Sequence, residues 1–426
     1  MKQQKRILAG ASERQQYLAH AFNDNTIRFI LHYPALLDPQ ILGRAAEAII
    51  HSVDVLHGSF SVGKVQAWWQ IQEQLRREDH FRHICVDGDL TDTAIAASIL
   101  PITPEEPAKI RVTLVDNGKT SSLVVSISHL CMDGGDAKYL LSKLVEAYNR
   151  LLTQGNLDGL TVKNGIRAPE QLYQGMTPKE VRMLMKNPLP DVKSYYPFPT
   201  EQTGTPRCVY AVIPAEVMAA ARQRAKKTGA SANDLLITAM TQTYANLPGV
   251  DRNSPVSVTS MIDLRRHCPG GDSAGLSNLS GALPTLLYGV PADFSETLGE
   301  IARQTKAMKE DPYAGLRGIP LIHTAIRTGP MSFLQKVAPV VYGKMSVGMT
   351  NLGNLVCADF ALGGLIPSGG MFGGPLKKKP GMQVSVMSFD GECVLACYGE
   401  YGDEDAGHIR NMLEAMVDCI TQYADP

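Results

Sequence analysis

Ser128-His129-Leu130-Cys131-Met132-Asp133-Gly134-Gly135 joins a predicted strand to a predicted helix and places a histidine at the junction. Ahead of it, apolar and polar residues alternate over 122–129, which predicts a strand with His129 on its more apolar face. The glycines permit a tight turn, and Asp133 by itself suits a helix N-cap. A histidine at a strand end beside such a turn is well placed for acid–base chemistry, although a lone histidine on an apolar face is more often a hydrogen-bonded core residue.

The composition is that of an ordinary globular protein, with 44% apolar and 19% charged residues among 426. This length predicts two or three structural units. The net charge of −1 gives no global electrostatic footprint for nucleic acid or for an anionic membrane. There is no apolar run of about 18 residues, and no signal-peptide core follows the basic start at 1–6. We therefore expect a cytoplasmic monomer with no membrane span.

The eight cysteines are scattered and form no Cys-x-x-Cys pair. Without an export signal, reduced buried thiols are the expected state. Neither His129 with Cys131 nor Cys393 with Cys397 has a second ligand pair at a known spacing, so we predict no metal site. Phosphate-binding glycine motifs are also missing from the sequence.

Hydrophobic periodicity predicts a mixture of strands and helices along the whole chain. Beyond the strand before His129, strands are predicted at Thr26–Tyr33, Ile110–Asp116, Cys208–Ile213, Pro255–Ile262, near Ala282–Tyr288, and at Lys344–Asn351, Met382–Phe389 and Cys393–Glu400. Helices are predicted at Glu13–Ala21, Pro39–Ser52, after Gly135, at Ala215–Thr228 and Ala232–Asn246, twice within Ser295–Val341, and at Asp405–Tyr423. This mixture indicates an α/β (α+β) protein.

Seven prolines crowd the stretch between 157 and 206, which predicts a long connection that carries one short helix. We therefore divide the chain into an N-terminal unit at 1–165, a Pro-rich connection at 166–207 and a C-terminal unit at 208–426. Periodicity alone goes no further than two α/β sandwich-like units.

The string His-x-x-x-Asp-Gly at 129–134, on a strand-to-helix junction in the N-terminal half, resembles the motif of the condensation-domain superfamily, which shares the chloramphenicol acetyltransferase fold. Companion segments follow in the matching order: Ser12-Glu13-Arg14-Gln15, Leu56-His57-Gly58-Ser59-Phe60, the strand and charged turn at 257–266, and Val347-Gly348-Met349-Thr350-Asn351-Leu352-Gly353. The chain departs from the family at Ser128, where many members carry a first histidine, and at His57, where arginine is common.

The resemblance implies two sandwich subdomains arranged in a V, with the active site in a tunnel between them. It implies a stand-alone acyltransferase of the kind found in natural-product biosynthesis, with His129 as general base. An acyl group would pass directly, without an acyl-enzyme, from a thioester to an amine or hydroxyl of a small acceptor. The thioester would belong to acyl-CoA or to the phosphopantetheine of a carrier protein, and no cofactor would be bound permanently.

The resemblance also implies roles for further residues. Asp133 would support the loop by pairing with Arg265, and Gly134 would offer its backbone N–H to the oxyanion. Ser128, Thr350 and Asn351 would line the substrate tunnel, although for Thr350 and Asn351 turn formation at a strand end is an equal alternative.

Other functions, and other roles for the basic residues, remain open from the sequence. Cys131 lies two residues from His129, so a Cys–His thioesterase is conceivable, as is a degenerate protein that only binds a carrier protein or ligand. The run Lys377-Lys378-Lys379 is either a solvated loop or a contact for a phosphate of coenzyme A or phosphopantetheine. Arg265 and Arg266 could take that phosphate role instead.

Overall fold

The computed structural model describes residues 5–186, 192, 194–198, 204–342 and 347–425, and within these ranges fourteen strands form three sheets. The strands are β1 (Arg6–Leu8), β2 (Thr26–Tyr33), β3 (Gly58–Val62), β4 (Ala67–Ile71), β5 (Phe81–Cys85), β6 (Ile110–Asp116), β7 (Ser121–Ser128), β8 (Thr205–Ile213), β9 (Pro255–Asp263), β10 (Ser280–Tyr288), β11 (Val347–Leu355), β12 (Gly369–Gly373), β13 (Met382–Phe389) and β14 (Glu392–Tyr401).

Twelve α-helices accompany these strands in the same ranges. They are α1 (Ala11–Ala19), α2 (Pro39–His51), α3 (Arg77–His80), α4 (Thr91–Ile99), α5 (Gly134–Gln154), α6 (Pro178–Lys186), α7 (Ala215–Lys227), α8 (Ala232–Ala245), α9 (Phe294–Glu310), α10 (Ile319–Thr328), α11 (Met331–Tyr342) and α12 (Asp403–Ala424). None of the helices described is both long and apolar enough to cross a lipid bilayer.

The first large sheet has five strands in the order β12-β2-β7-β6-β5. Strand β7 lies at its centre and pairs antiparallel with both β2 and β6, so every residue from 121 to 128 is buried. Helix α5 packs against α2 over the core of this sheet. Six of its apolar residues recur at helical spacing and are buried: Ala137, Leu140, Leu141, Leu144, Val145 and Tyr148.

The second large sheet has six strands in the order β10-β9-β11-β13-β14-β8. Helices α7, α8 and α12 cover it, and their apolar faces form a second hydrophobic core with the inner residues of the strands. Strand β11 runs parallel to both β9 and β13, and its register shifts between Asn351 and Asn354. The third sheet is small, with the order β1-β4-β3.

Strand β12 links the two large sheets, because it follows β11 in sequence but pairs with β2 of the five-stranded sheet. Sequence periodicity missed it, since three of its five residues are glycines. These glycines are needed for close approach: a Cβ on Gly370 would collide with the carbonyl of Ile30, and one on Gly373 with the ring of Tyr398. The C-terminal half thus supplies one strand to the N-terminal sheet.

Most predicted elements are present, and β2, β6 and β13 have the predicted bounds. The stretch 295–341 was predicted to hold two helices but has three, because Gly318, at a φ of 78°, starts a separate helix α10. The predicted strand start at Lys344 lies outside the described residues. Part of the Pro-rich connection, 187–191, 193 and 199–203, also lies outside them, and its described part holds a 3₁₀ turn (Pro169–Tyr173) and α6.

Candidate active site

A cavity of about 650 Å³ lies where the end of β7, the start of α5, strands β9 to β11 and the connection after β12 meet. This volume is within the usual range for sites that bind small molecules. Six of the residues predicted from the sequence line it: His129, Asp133, Gly134, Arg265, Thr350 and Asn351. The cavity therefore brings together segments that are far apart in the chain.

His129 directly follows β7 and is held in place by two hydrogen-bonding groups. Its backbone N–H donates to the carbonyl of Asn25 at 2.7 Å. The Asn278 amide makes two contacts: its Nδ2 donates to the His129 carbonyl at 2.9 Å, and its Oδ1 lies 2.8 Å from His129 Nδ1. Because Oδ1 can only accept, Nδ1 carries the proton and Nε2 keeps its lone pair. The imidazole is thereby held in the form that acts as a base at Nε2.

Burial lowers the pKa of His129 below its usual value, since the charged imidazolium is poorly solvated there. The carboxylate of Asp133 opposes this shift, while the positive charge of Lys377 adds to it. The net lowering keeps the imidazole neutral at pH 7, which is the protonation state that a general base requires.

Both carboxylate oxygens of Asp133 accept hydrogen bonds from other groups of the protein. Its Oδ1 accepts hydrogen bonds from the backbone N–H groups of Gly135 and Asp136 at 3.1 and 3.2 Å, so it is the N-cap of α5. Its Oδ2 accepts from the N–H of Leu279 at 2.7 Å and from the hydroxyl of Ser280 at 3.2 Å. Arg265 donates to both oxygens, at 2.9 and 3.1 Å. With six donors around it, the carboxylate is occupied by structural contacts.

Arg265 joins this network to other carboxylates. Its guanidinium also pairs with Asp136 at 2.8 Å and with Asp263 at 2.9 Å, and its side chain is only 8% exposed. Burial would lower the pKa of Arg265, but the surrounding carboxylates of Asp133 and Asp136 raise it above its usual value. Lys163 completes the cluster by pairing with Asp136 at 2.6 Å. The network ties the start of α5 to the segments around β9 and β10.

Asp136 and Lys163 were not singled out from the sequence. An acidic residue in the first turn of a helix is an ordinary partner of the helix dipole, so Asp136 carried no distinct pattern. Lys163 lies in a loop without periodicity. Only the contact with Arg265 reveals the role of Asp136.

Gly134 is the first residue of α5 and lines the cavity. A Cβ at this position would lie 2.8 Å from the side chain of Leu352, so no larger residue fits without movement. Its backbone N–H is one of the first in the helix, where N–H groups lack an intrahelical partner. The position therefore suits an N–H donor for an oxyanion.

Thr350 and Asn351, on β11, both line the cavity. Asn351 also shapes the strand end, because its Oδ1 accepts from the N–H of Gly353 at 2.8 Å and its Nδ2 donates to Asn233 at 3.2 Å. Ser128 needs a correction: its exposed fraction is 0%, and it is not among the described residues that line the cavity. As its neighbour His129 points toward the cavity, Ser128 points to the other face of the strand.

Cys131 lies apart from the cavity lining in the described part of the chain. It is fully buried, its Sγ is 3.5 Å from the Val55 carbonyl, and burial raises its thiol pKa to about 12. A nucleophilic thiol needs a lowered pKa, so the geometry does not favour a Cys–His thioesterase.

The three lysines at 377–379 have different environments. Lys377 is buried and lines the cavity, Lys378 is exposed, and Lys379 pairs with Asp405. Of the three lysines, only Lys378 therefore has the environment expected of a solvated loop. Arg266 is exposed and outside the cavity lining in the described residues, whereas Arg265 is held by carboxylates.

The sequence did not indicate two further residues that line the cavity. Asn278 lies in a loop before β10 without a recognisable motif. His323, on α10, lines the cavity, lies 3.3 Å from the hydroxyl of Tyr173, and has a pKa that burial lowers to about 4. Both residues reach the cavity only through tertiary folding.

One group of potential metal ligands lies outside the cavity, at the edge of the five-stranded sheet. Ligand atoms of His83, Cys85 and Asp116 lie within 4.8 Å of one another, although His83 Nε2 and Asp116 Oδ2 already pair at 2.5 Å. None of the three lines the cavity in the described residues, so this group has no part in the candidate active site.

Neither the family models nor the curated proteins that were searched match this chain. Solved structures do. Polyketide synthase associated protein 5 from Mycobacterium tuberculosis is 13% identical, with 100% of both chains covered and a TM-score of 0.72. Trichothecene 15-O-acetyltransferase from Fusarium sporotrichioides is 12% identical, with 99% of this chain and 95% of that one covered and a TM-score of 0.72.

The starter condensation domain of rhizomide synthetase, solved with C8-CoA and Leu-SNAC, is 13% identical, covers 99% of this chain and 96% of its own, and has a TM-score of 0.66. At these identities the likeness concerns the fold. The chain has the two-subdomain, chloramphenicol-acetyltransferase-like fold of condensation domains and related acyltransferases, which confirms the predicted fold class.

Proposed function

We propose that this protein is an acyltransferase that moves an acyl group from a thioester to the amine or hydroxyl of a small acceptor, with His129 as general base. The observation that carries the proposal is the Asn278 contact, which leaves Nε2 of a neutral His129 as the free base in a cavity of about 650 Å³. The two subdomains, proposed at 1–165 and 208–426 with the connection 166–207 between them, each contribute walls to this cavity.

The proposed reaction uses this geometry. Nε2 of His129 removes the proton of the acceptor as its nitrogen or oxygen attacks the thioester carbonyl carbon. The negative charge that develops on the carbonyl oxygen meets the N–H of Gly134 at the start of α5. The tetrahedral intermediate then collapses, the carbon–sulfur bond breaks, and the imidazolium returns the proton to the leaving thiolate. No group of the protein is acylated.

Acid–base catalysis of this kind is typically worth about 10²–10⁴-fold in rate. Holding donor and acceptor together in one cavity adds to it, because the reaction becomes effectively unimolecular. Asp133 and Arg265 take no part in the chemistry. We propose that they fix the position of Gly134 and of the loop that carries His129.

The donor is a thioester of coenzyme A or of a carrier protein. The fold is shared with a condensation domain that was solved with C8-CoA, which supports a coenzyme A thioester. The fold is also shared with an acetyltransferase, which supports transfer to a hydroxyl.

The experiment measures thiol release from acetyl-, butyryl- and octanoyl-CoA in the presence of amine and alcohol acceptors. His129→Ala is expected to lower kcat by about 10²–10⁴-fold. A matched control is His323→Ala, which removes a second histidine from the same cavity and is expected to retain kcat. Circular dichroism and thermal unfolding show whether both variants are folded.

A folded His129→Ala variant with wild-type turnover contradicts the proposed base. Binding of C8-CoA without turnover across the whole panel favours the alternative of a degenerate protein that only binds ligands. Cys131→Ala is expected to keep full activity. A loss of activity of more than tenfold in a folded variant would support the alternative of a Cys–His thioesterase.

A further inference from the structure

Lys377 is a buried cation in the wall of the cavity. It follows β12 and is only 9% exposed. Its backbone is fixed between the sheets, because its N–H donates to the Tyr398 carbonyl at 2.9 Å and its own carbonyl accepts from the N–H of Glu400 at 3.0 Å. The side chain therefore projects from a rigid anchor.

No carboxylate in the described part of the chain pairs with the Lys377 ammonium within salt-bridge distance. Asp24 is the acidic group whose charge acts on it, but Asp24 is already paired with Arg28 and accepts the N–H of Leu376 at 2.8 Å. A buried ammonium without a counter-charge is unfavourable, so a ligand that supplies an anion would bind well there.

The other cations that line the cavity are already engaged. Arg265 is surrounded by Asp133, Asp136 and Asp263, and the ammonium of Lys138 donates to the carbonyl of Asn354 at 2.8 Å. Lys377 is thus the cation in the described part of the cavity wall whose ammonium has neither a carboxylate nor a hydrogen-bond acceptor as partner.

Lys377 is also near the reacting centre, because its backbone pairs with that of Asn23, and Asn25, two residues further on, accepts the N–H of His129 at 2.7 Å. Its charge also contributes to the lowered pKa of His129. Burial lowers the pKa of Lys377 itself to about 8, against the opposing charge of Asp24, so the ammonium is still the main form at pH 7. A phosphate of coenzyme A or of phosphopantetheine is separated from the sulfur by the pantetheine arm and cannot reach a group beside the thioester. A carboxylate carried by one of the two reactants can.

We propose that Lys377 binds a carboxylate of the substrate beside His129, so that the protein selects reactants that carry one. The inference rests on the proposed acyl transfer and names its substrate class. The carboxylate belongs either to the acceptor, as in an amino acid or hydroxy acid, or to a dicarboxylic acyl chain.

The test compares acids with neutral analogues in two arms. In the first, acetyl-CoA is the donor, and leucine is compared with leucinamide and 3-hydroxybutyrate with 3-hydroxybutyramide. In the second, one neutral acceptor is fixed, and succinyl-CoA is compared with butyryl-CoA. Wild type is expected to prefer the charged member in one arm by about 30-fold or more in kcat/KM, as expected for a buried charge pair.

Lys377→Met is expected to reduce that preference to within about threefold, mainly through KM, and Lys377→Arg to retain most of it. The matched control is Lys378→Met, which makes the same change at the exposed neighbour and is expected to keep the wild-type ratio. Comparing ratios between variants cancels the different nucleophilicity of acid and amide. No preference in wild type, or an equal loss for charged and neutral substrates in Lys377→Met, overturns the inference.

Calorimetry with octanoate and octanamide separates this inference from the proposed function. If wild type binds octanoate more tightly, Lys377→Met does not, and no thiol is released from any pair, then acyl transfer fails and the carboxylate site stands. If thiol is released but neither arm nor calorimetry shows a preference for the charged ligand, the carboxylate site alone fails. The substitution Lys377→Met could instead lower the affinity for coenzyme A and leave the affinity for acyl-pantetheine unchanged. That result would show that Lys377 binds a phosphate of coenzyme A, and it would also overturn the inference.

Discussion

Arg265 and Lys377 are two buried cations in the wall of the same cavity, and their surroundings are opposite. Arg265 is paired with the carboxylates of Asp133, Asp136 and Asp263. Lys377 has no such partner in the described part of the chain, and Asp24, whose charge acts on it, is already paired with Arg28. The two side chains are similarly buried, at 7% and 9% exposed.

Arg265 therefore represents charged side chains that hold the site together, and Lys377 represents charged side chains that can bind a ligand. Removing a partner from a completed network leaves buried carboxylates uncompensated and is expected to cost stability. Removing a cation that has no partner relieves a desolvation penalty and is expected to cost only binding. Substitutions in the two regions test this distinction.

Arg265→Met is expected to lower the free energy of unfolding by about 3–5 kcal/mol, because Asp133 would remain buried without a counter-charge and Asp136 would keep only Lys163. Urea denaturation followed by circular dichroism measures this loss. The exposed substitution Lys378→Met serves as the control and is expected to change stability by less than about 0.5 kcal/mol. A loss below about 1 kcal/mol in Arg265→Met would show that the network is not needed for the fold.

Asn278→Leu is expected to lower kcat by about 10- to 100-fold, because the buried Nδ1–H of His129 loses its acceptor and the tautomer is no longer fixed. The measurement is steady-state kinetics with the best substrate pair from the thioester panel. KM is expected to change little, since Asn278 acts on the base. Unchanged kcat in a folded variant would mean that Asn278 does not position His129.

The pH profile links the two regions. Since burial lowers the pKa of His129 and a base must be unprotonated, activity is expected to persist below pH 6.5 and to fall only at more acidic pH. Lys377 contributes to this lowering while Asp133 opposes it, so Lys377→Met is expected to move the acidic limb of kcat/KM to higher pH. Lys378→Met should leave the limb in place, and a limb that moves to lower pH in Lys377→Met would contradict the geometry.

The smallest effect is expected for the stability of Lys377→Met. Methionine fills a similar volume without a charge, so the free energy of unfolding should stay within about 0.5 kcal/mol of wild type or rise. Denaturation in urea without ligand checks this. A loss as large as that of Arg265→Met would show that Lys377 is a structural cation, and the contrast between the two regions would disappear.

Much of the fold could be predicted because its signals are local. The apolar runs of β2 and β6 and the helical spacing of α5 predicted these elements correctly, since nearly all residues of the two strands and one face of the helix are buried in the core. Strand β12 could not be predicted, because its glycines have no side-chain pattern and are required by the close approach of β2 and Tyr398. Two helices were predicted within 295–341 and the structure has three, because the start of α10 after Gly318 depends on one backbone angle.

The candidate site could be predicted only in part. The motif at 129–134 indicated His129, Asp133 and Gly134, and the resemblance indicated Arg265 as the partner of Asp133, which is where the structure places it. The catalytic roles of these residues stay predictions. Ser128 was assigned to the tunnel from its place in the motif, but the alternation of the strand turns it into the opposite face.

Chain order alone establishes which residue types stand next to each other: a histidine at a strand end, an acid that suits the cap of the following helix, and two glycines that permit a tight turn. Only the tertiary structure decided that Asn278, 149 positions away, holds the imidazole. It also decided that Lys377, within a run of three lysines, is the one that lines the cavity. The physical reason is that hydrogen bonds and burial depend on which segments meet in space, and that meeting is produced by sheet order and crossover rather than by spacing along the chain.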